Sequence, residues 1–385
     1  EKCEFRTRNL LFCEKKITFI INLTGEAVRS GIPGRLDRFH LSSCAERMGT
    51  SLKDIAETLN LSKTTVSWVL SGRADEKGIS AATQQRVSRC AQRLNYRPNL
   101  LARSLNTGES GMIGLILPSI SDSFYSQVAR EVEMEVEEHG YSLMICSSES
   151  EPERENRMIR LFRAKQVDGL IIAPTVRSGE EIRRLVDESF PFVVFDRRFP
   201  KLDTHCVLID NERSSYALVR RLTEDGFRRI AVITTNPHLE TMDARRAGYG
   251  RALADSGIAF DESLYGEVEF AGYERNLPGV LDRIFARDEG VDGFFFTTHI
   301  LALEAFRYFH DRGVDINDGY GLACIHEVPF MSVLAPGMHV ARMPVGRIGR
   351  ESVRMLLEDM RRRKSAGEVP PAETVELECE LCFRG

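Results

Sequence analysis

The chain has 385 residues, is 42% hydrophobic and 28% charged, and carries a formal net charge of −5 at pH 7. This length accommodates two or three domains, and the composition is that of a globular protein rather than a disordered or fibrous one. No run of roughly 18 apolar residues occurs, so hydropathy predicts no membrane-spanning helix. The nine cysteines include one CxxC pair, Cys379 and Cys382. A zinc site usually needs four ligands, and no second CxxC accompanies this pair, so we predict no metal. We also predict no cofactor. Scattered cysteines without paired spacing indicate a reduced, cytoplasmic chain.

The charge is distributed unevenly along the chain. Residues 51–109 carry nine Lys/Arg and five Asp/Glu, a net charge of +4, whereas residues 110–385 carry 34 and 46, a net charge of −12. A DNA-binding protein has to neutralise phosphates only at its docking face. The division therefore favours a basic head that binds nucleic acid and an acidic body.

Residues 1–47 show no sustained periodicity. A basic pair followed by ITFIINL resembles a signal peptide faintly, but the apolar stretch is short and no clear small-residue cleavage site follows. Met48 directly precedes the first helical pattern. We expect residues 1–47 to be either sequence translated upstream of a true start at Met48 or a poorly ordered extension.

Three short helices are predicted between residues 50 and 97. Their N-caps are Ser51, Ser62 and Ser80. The first helix has one apolar stripe, formed by Leu52, Ile55, Ala56 and Leu59. The second helix shows short polar side chains near its N-terminus, which suit base edges in the major groove. The pattern predicts a helix-turn-helix DNA reader, and a small three-helix bundle with a polar face is the alternative.

A short helix that begins at Pro98 is predicted within a hinge and linker segment, residues 98–110. Ala102 permits the close approach of a twin helix, and Leu105 on the same face can wedge between base pairs in the minor groove. Arg103 can reach a phosphate. An ordinary interdomain linker with a half-turn of helix is the alternative.

The order SLKDIAETLNLSKTTVSWVLSG, ISAATQQRV, LNYRPNLLARSL and IGLILPSISDSFY resembles the lactose-repressor (LacI/GalR) family of bacterial transcription regulators. The resemblance runs from about Ser51 to the C-terminus, and TTVSWVLSGRA and GYSLMICSSESEPERENRMI are similar to the fructose-repressor branch. It implies a homodimer, a palindromic double-stranded operator and a small-molecule effector. Trp68 departs from the commoner Arg, His or Tyr. The expected DNA-contacting residues are Ser51, Leu52, Ser62, Lys63, Thr64, Thr65, Ser67, Trp68, Arg73, Tyr96, Asn99, Ala102, Arg103 and Leu105.

Strands and helices alternate regularly over residues 111–385. A first series contains MIGLIL, YSLMIC, DGLIIA, PFVVFD and HCVLID, and a second contains RIAVITT, LYGEVEF, GFFFTT and YGLACI. Alternation of this kind predicts doubly wound α/β layers, and its repetition predicts two lobes. The resemblance implies a periplasmic-binding-protein-like domain for effector binding and dimerisation, with three crossings between lobes. A helix over residues 345–364 and a single strand over 373–383, with Cys379 and Cys382 on opposite faces, complete the prediction.

Ligands of such folds bind beyond the carboxyl ends of the strands. There Phe124 and Tyr125 offer flat surfaces for a sugar ring, Asp196 can accept from neighbouring hydroxyls, and arginines can clamp an anion. Packing at the helix start and a surface ion pair are the alternatives. Arg245 matches the family's effector-binding arginine. The candidate effector-binding residues are Ser119, Phe124, Tyr125, Asp196, Arg197, Arg245, Tyr273, Thr298 and His326.

One position departs from the family pattern. The family usually has Gly-Phe-Asp where this chain has Cys324, Ile325 and His326, so one hydroxyl acceptor is replaced while the arginines remain. We hypothesise that the effector carries an anionic group, as a sugar phosphate or a sugar carboxylate; the alternative is that His326 only packs and Glu327 takes over.

No phosphate-binding loop and no nucleophile–base set is recognisable. We therefore predict a regulator rather than an enzyme, most simply a repressor of carbohydrate-use genes that is controlled by a small sugar or sugar phosphate. A solute-binding protein and a sugar-modifying enzyme are the rival functions. The sequence does not distinguish an inducer from a co-repressor.

Overall fold

The computed structural model describes residues 50–96, 108–175, 179–199, 201–235, 239–286, 290–366 and 369–384. The chain divides into two compact units, Glu1–Arg97 and Pro98–Gly385. The predicted N-terminal extension lies outside the described residues. So does the predicted hinge helix with Asn99, Ala102, Arg103 and Leu105.

The first unit contains three helices: α1 (Leu52–Leu59), α2 (Lys63–Leu70) and α3 (Ala81–Arg93). All three predicted N-caps are confirmed, since Ser51, Ser62 and Ser80 each accept a backbone N–H of the following turn. Asn60 ends α1 at a φ of 53°, a conformation that Asn tolerates and that turns the chain into α2. The core between the helices contains the fully buried Ile55, Val66 and Val87.

The second unit alternates strands and helices. Its strands are β1 (Met112–Leu117), β2 (Ser142–Ser147), β3 (Gly169–Ile172), β4 (Phe192–Phe195), β5 (His205–Ile209), β6 (Ile230–Thr235), β7 (Tyr265–Val268), β8 (Gly293–Phe296), β9 (Gly321–Ile325), β10 (His339–Arg342), β11 (Thr374–Leu377) and β12 (Glu380–Cys382). Its helices are α4 (Ser123–Glu138), α5 (Pro152–Ala164), α6 (Glu180–Asp187), α7 (Asn211–Glu224), α8 (Glu240–Asp255), α9 (Tyr273–Phe285), α10 (His299–Asp311), α11 (Met331–Leu334) and α12 (Val345–Ala366). A short 3₁₀ helix covers Glu262–Leu264.

Two six-stranded sheets form two lobes. The first lobe has the order β11-β5-β4-β3-β1-β2 and is wholly parallel. The second has the order β12-β10-β9-β8-β6-β7 and is parallel except for β12, which runs antiparallel to β10. Helices cover the sheets, so the strands are continuous apolar runs. The predicted two-lobed doubly wound fold is confirmed.

The chain crosses between the lobes three times, as the resemblance implied. The crossings follow Ile209, Arg342 and Leu377, because α7, α12 and β12 each belong to the lobe opposite the preceding strand. The predicted single strand over residues 373–383 is therefore wrong: β11 pairs with β5 in the first lobe and β12 pairs with β10 in the second.

Cys379 accordingly lies in the crossing between β11 and β12 and does not share a strand with Cys382. An alternating apolar pattern reports only that a segment is extended, not which sheet it joins. The strand series predicted from the sequence also omitted β10.

Candidate functional site

The exposed N-terminal end of α2 carries the side chains best placed to meet DNA. Lys63 and Thr64 are exposed, and Ser67 and Trp68 are half-buried on the same helix. Ser62 and Thr65 are engaged locally, because the Ser62 hydroxyl accepts from the Thr65 N–H at 2.9 Å and contacts its hydroxyl at 2.8 Å. The helix terminus therefore presents a short cationic and hydroxyl-bearing surface.

The remaining predicted DNA-contacting residues of the head have structural partners. Leu52 and Tyr96 pack against the apolar core of the head. Arg73 Nε lies 3.4 Å from a Glu76 carboxylate oxygen. The ring of Trp68 lies 5.6 Å from the Lys77 ammonium. Because exposed contacts of this kind are weak, Arg73 and Lys77 can exchange them for a phosphate.

Two non-glycine residues at carboxyl ends of strands have left-handed backbone conformations. Asp196 follows β4 in the first lobe and His326 follows β9 in the second, and both have a φ of 66°. Such a conformation is uncommon outside glycine and costs free energy, so it is associated with functional sites. Both residues are candidates for ligand contact from their sequence positions alone.

A cluster around His326 joins the two lobes. The Phe124 ring from the first lobe packs edge-on against the His326 ring at 5.6 Å between centroids. His299, the first residue of α10, lies 5.3 Å from the same ring. Its Nε2 approaches Asp122 Oδ1 of the first lobe at 3.4 Å. The sequence analysis missed Asp122 and His299, although their positions beside strand ends were a usable signal.

His326 is buried, with 5% of its surface exposed. Neither of its ring nitrogens has a hydrogen-bond partner among the described residues. Burial, reinforced by the nearby His299, lowers the pKa of His326 to about 4. The ring is therefore neutral at pH 7 and has one donor and one acceptor available. A buried polar group without partners is costly, which points to a ligand that supplies them.

A second cluster surrounds Asp196. The Tyr125 hydroxyl donates to Asp196 Oδ2 at 2.7 Å, and Arg197 Nε lies 3.3 Å from the same oxygen. From the second lobe, the Thr241 hydroxyl donates to the Asp196 carbonyl at 3.0 Å. Arg198 forms a two-pronged pair with Glu240 of the second lobe. Arg197 and Arg198, the two arginines that follow Asp196, therefore already face a carboxylate.

Arg245 forms a third group within the second lobe. Its guanidinium is buried, donating from Nε to Asn211 Oδ1 at 2.8 Å and from Nη1 to the Thr297 carbonyl at 2.5 Å. Gly248 permits this approach: a Cβ there would lie 2.2 Å from the Glu212 carbonyl of α7, so only glycine lets α8 pack so closely. The residue after Arg245, Arg246, is exposed.

Ser119, Tyr273 and Thr298 make local contacts instead. The Ser119 hydroxyl lies 3.0 Å from the Ser121 hydroxyl. Thr298 caps α10 by accepting from the Leu301 N–H at 3.3 Å. Tyr273 begins α9, and burial with the neighbouring Glu274 raises its pKa to about 12. The structure therefore does not draw these three predicted residues into the clusters around Asp196, Arg245 and His326.

Two cavities open on the second unit. One of about 210 Å³ lies beside the cleft between the lobes and is lined in part by Arg197, Asn211, Glu240 and Thr241. A larger one of about 1080 Å³ is lined in part by Ser110, Tyr141, Asp168 and Pro191, at the amino ends of the first-lobe strands. Ligands of doubly wound folds bind at the carboxyl ends, so the smaller cavity lies on the side where a ligand is expected. It adjoins the Asp196 cluster, and its lining includes neither His326 nor Arg245.

A three-helix DNA-reading head and a two-lobed body with convergent polar side chains define a ligand-responsive DNA-binding protein. Residues 51–99 match the family described as bacterial regulatory proteins, lacI family. Residues 110–265 match periplasmic binding proteins and the sugar binding domain of the LacI family, and residues 219–385 match a periplasmic binding protein-like domain. The chain belongs to the lactose-repressor (LacI/GalR) family of transcriptional regulators.

Curated and solved relatives agree with this assignment. The HTH-type transcriptional regulator PtxS of Pseudomonas plecoglossicida is 29% identical over 341 residues, 88% of this chain and 96% of that protein. The transcriptional regulator CelR in complex with cellobiose is 23% identical, with a TM-score of 0.62 over 87% of this chain and 99% of that one. The Cra dual regulator of Pseudomonas putida in complex with fructose 1-phosphate is 22% identical, with a TM-score of 0.62 over 71% of this chain and 98% of that one.

At identities of 23% and 22%, the two solved structures show that the fold is shared. The relatives are transcriptional regulators, so the predicted regulator class is confirmed. The finer similarity to the fructose-repressor branch stays a prediction. Within the described residues, no helix is both long and apolar enough to cross a bilayer. Nor does any group of three or more His, Cys, Asp or Glu side chains in those residues come together as a metal site.

Proposed function

We propose that this protein is a cytoplasmic, homodimeric repressor of carbohydrate-use genes, controlled by a small carbohydrate bound between the lobes. One observation carries the effector half of the proposal: His326 is buried where the two lobes meet, beside Phe124 of the opposite lobe, and its ring nitrogens have no hydrogen-bond partner in the described part of the chain. The complexes of CelR with cellobiose and of Cra with fructose 1-phosphate support a carbohydrate as the ligand class.

The proposed DNA complex uses two copies of the head. Each α2 enters one of two successive major grooves of a palindromic operator, with Lys63 and Thr64 foremost. The paired segments from residue 98 onward insert Leu105 into the central minor groove, and Asn99, Ala102 and Arg103 accompany it. Bending the duplex in this way costs on the order of a few kcal/mol, which the additional contacts offset.

Three exposed apolar side chains support a second copy as the partner. Phe330, Val333 and Leu334 are 55%, 79% and 47% exposed around the single-turn helix α11. Large apolar side chains grouped on a surface mark an interaction site. A second copy is the occupant we propose, because a two-fold dimer presents two recognition helices to a palindrome. Effector binding between the lobes then shifts the dimer geometry that holds the hinge segments together.

Fluorescence anisotropy with the full chain and a pool of palindromic duplexes tests the proposal. We expect sequence-selective binding that weakens steeply as salt rises, because phosphate contacts release counterions. Thr64→Ala should reduce selectivity among duplexes, whereas the exposed substitution Glu137→Gln in the body should not. A protein that only carries solute would bind sugar but show no preference between duplexes, and that result would refute the regulator.

A further inference from the structure

We propose that the effector is a sugar acid with a single negative charge, its carboxylate bound by Arg245 and its hydroxyls bound by His326, Ser123 and Thr235. This inference rests on the proposed function for the location of the effector between the lobes. It goes further by naming the chemical class, and it narrows the choice between a sugar phosphate and a sugar carboxylate.

The first argument is the balance of charge around the cleft. Arg197 lies against Asp196, Arg198 is paired with Glu240, and His299 approaches Asp122. Glu155, whose carboxylate accepts from the N–H and hydroxyl of Thr175, lies on the Arg197 side. Arg197 and Arg198 therefore each face a carboxylate, whereas His299 balances Asp122 only when its ring is protonated.

Arg245 differs from Arg197 and Arg198 because it faces no carboxylate of the described residues. Its Nε and Nη1 are committed to an amide oxygen and a carbonyl, which carry no net charge. No carboxylate of the described residues lies within ion-pair distance of its guanidinium, and its Nη2 is not engaged by them. Burial lowers the pKa of Arg245, which shows that its charge is held at a cost. A buried charge is stabilised when a partner of opposite sign reaches it, so a buried arginine without a carboxylate partner favours an anionic ligand group.

The second argument is the set of neutral groups without partners. The Ser123 hydroxyl begins α4 beside Phe124, and the Thr235 hydroxyl ends β6 in the other lobe. Both are buried and, like the two nitrogens of His326, lack a hydrogen-bond partner within the described part of the chain. Their donors and acceptors match several hydroxyls of a sugar but give no second full charge. The described part of the cleft therefore offers one arginine without a carboxylate partner and several neutral polar groups.

This combination distinguishes three ligand classes. A neutral sugar satisfies the hydroxyl-binding groups but leaves Arg245 uncompensated. A sugar phosphate carries about 1.5 to 2 negative charges at pH 7. The excess charge would then be buried against Asp122 and Asp196 without a cation of its own. A carboxylate carries one charge and fits the planar guanidinium through two parallel hydrogen bonds.

Isothermal calorimetry on the full chain at pH 7.5 tests the class with matched ligands. The panel contains C5 and C6 aldonates and uronates, each beside its neutral alditol or aldose and its phosphate ester. Glucuronate, glucose and glucose 6-phosphate form one such set, and galacturonate, galactose and galactose 6-phosphate form another. We expect at least one acid to bind about 30-fold or more tighter than both of its counterparts.

Two variants, at Arg245 and His326, test which residue causes the preference for the acid over the neutral sugar. Arg245→Gln should reduce the acid-over-neutral ratio to within about threefold, because the charge is lost. Arg246→Gln is the matched control, since that arginine is exposed and is the next residue of α8, and it should keep the ratio. His326→Asn should weaken acid and neutral sugar by a similar factor and so preserve the ratio, even if Arg245→Gln fails to fold.

Three outcomes overturn the inference: a neutral sugar that equals its acid, a phosphate ester that binds more than tenfold tighter, or no binding by any acid of the panel. The DNA anisotropy assay separates these failures from failure of the proposed function. A neutral sugar or phosphate that changes operator binding would keep the regulator and reject the acid. Acid binding without selective DNA binding would keep the sugar acid as ligand and reject the regulator.

Discussion

His326 combines backbone strain and burial with the absence of hydrogen-bond partners among the described residues. Its φ of 66° is compatible with asparagine, which enters the left-handed region more readily than most residues. Burial lowers its pKa to about 4, below the unfolded value of about 6.5. The folded state therefore favours the neutral ring. The resulting stability is present above pH 6.5 and is lost as the pH falls toward 4.

His326→Asn should remove part of this acid sensitivity. Between pH 7.5 and pH 5, we expect the variant to lose on the order of 2 kcal/mol less free energy of unfolding than the wild type. Urea denaturation at the two pH values measures the difference. The exposed His310 supplies the control, since His310→Asn should keep the wild-type pH dependence. Equal acid sensitivity in both variants would contradict this assignment.

Glu155 gives the opposite pH dependence. It is fully buried, and burial raises its pKa to about 7 against an ordinary 4.5, although the Thr175 hydrogen bonds favour the charged form. A raised pKa means that the stability associated with the protonated carboxyl is complete below pH 4.5 and is lost as the pH rises through 7.

Glu155→Gln should therefore stabilise the protein relative to the wild type more at pH 8 than at pH 5, by on the order of 2 kcal/mol. Chemical denaturation at both pH values is the measurement. The exposed Glu153→Gln on the same helix should show no such pH-dependent gain, and a similar gain there would argue against the burial explanation.

The close packing of α7 against α8 is the main contact between elements that positions the site. Arg245 reaches Asn211 because Gly248, one turn further along α8, lies against the backbone of α7. A Cβ at Gly248 would be 2.8 Å from the Tyr216 nitrogen as well as 2.2 Å from the Glu212 carbonyl, and backbone atoms cannot yield as flexible side chains do.

Gly248→Ala should force the two helices apart. We expect a loss of about 1–3 kcal/mol in stability and at least a tenfold loss of effector affinity, because Arg245 moves with α8. Gly250→Ala is a close control on the same helix: apart from its chain neighbours and the adjoining helix backbone, no side-chain or backbone atom of the described residues lies within 4 Å of its Cβ position. Since Ala favours a helix over Gly, that variant should be neutral or slightly stabilised. Thermal unfolding and calorimetry distinguish the two variants.

At the scale of the whole molecule, three chain crossings connect the lobes, and interlobe contacts flank the cleft at Arg198–Glu240 and Asp122–His299. Lobes connected in this way can rotate about the crossings as rigid bodies, which is the motion that a ligand between them biases. In the proposed dimer, the exposed apolar residues at α11 would transmit such a motion to the second copy.

Val333→Glu should convert the proposed dimer to a monomer, because it places a charge in the apolar interface. Sedimentation velocity measures the change, and affinity for a full palindrome should fall about 100-fold while affinity for a half-site stays the same. Val369→Glu, at another exposed apolar residue, should leave the dimer intact. A dimer that survives Val333→Glu would show that α11 is not the interface.

The sequence by itself determined the head, the family and the alternation of the body. Helix caps such as Ser51 and apolar runs such as β1 are local features, so they can be seen in a stretch of chain without knowledge of its neighbours. Most of the predicted site residues followed from their positions at strand ends.

Only the tertiary structure decided which lobe each C-terminal strand joins and which charges neutralise one another. The segment around Cys379 has one continuous alternating pattern, yet its two halves pair with β5 and β10, since pairing depends on strands far away in sequence. The sequence likewise placed Arg197 and Arg245 in one class. The structure separates them, because the balance of a charge depends on the side chains that fold against it: Arg197 lies against Asp196, whereas Arg245 is held by Asn211 and a carbonyl.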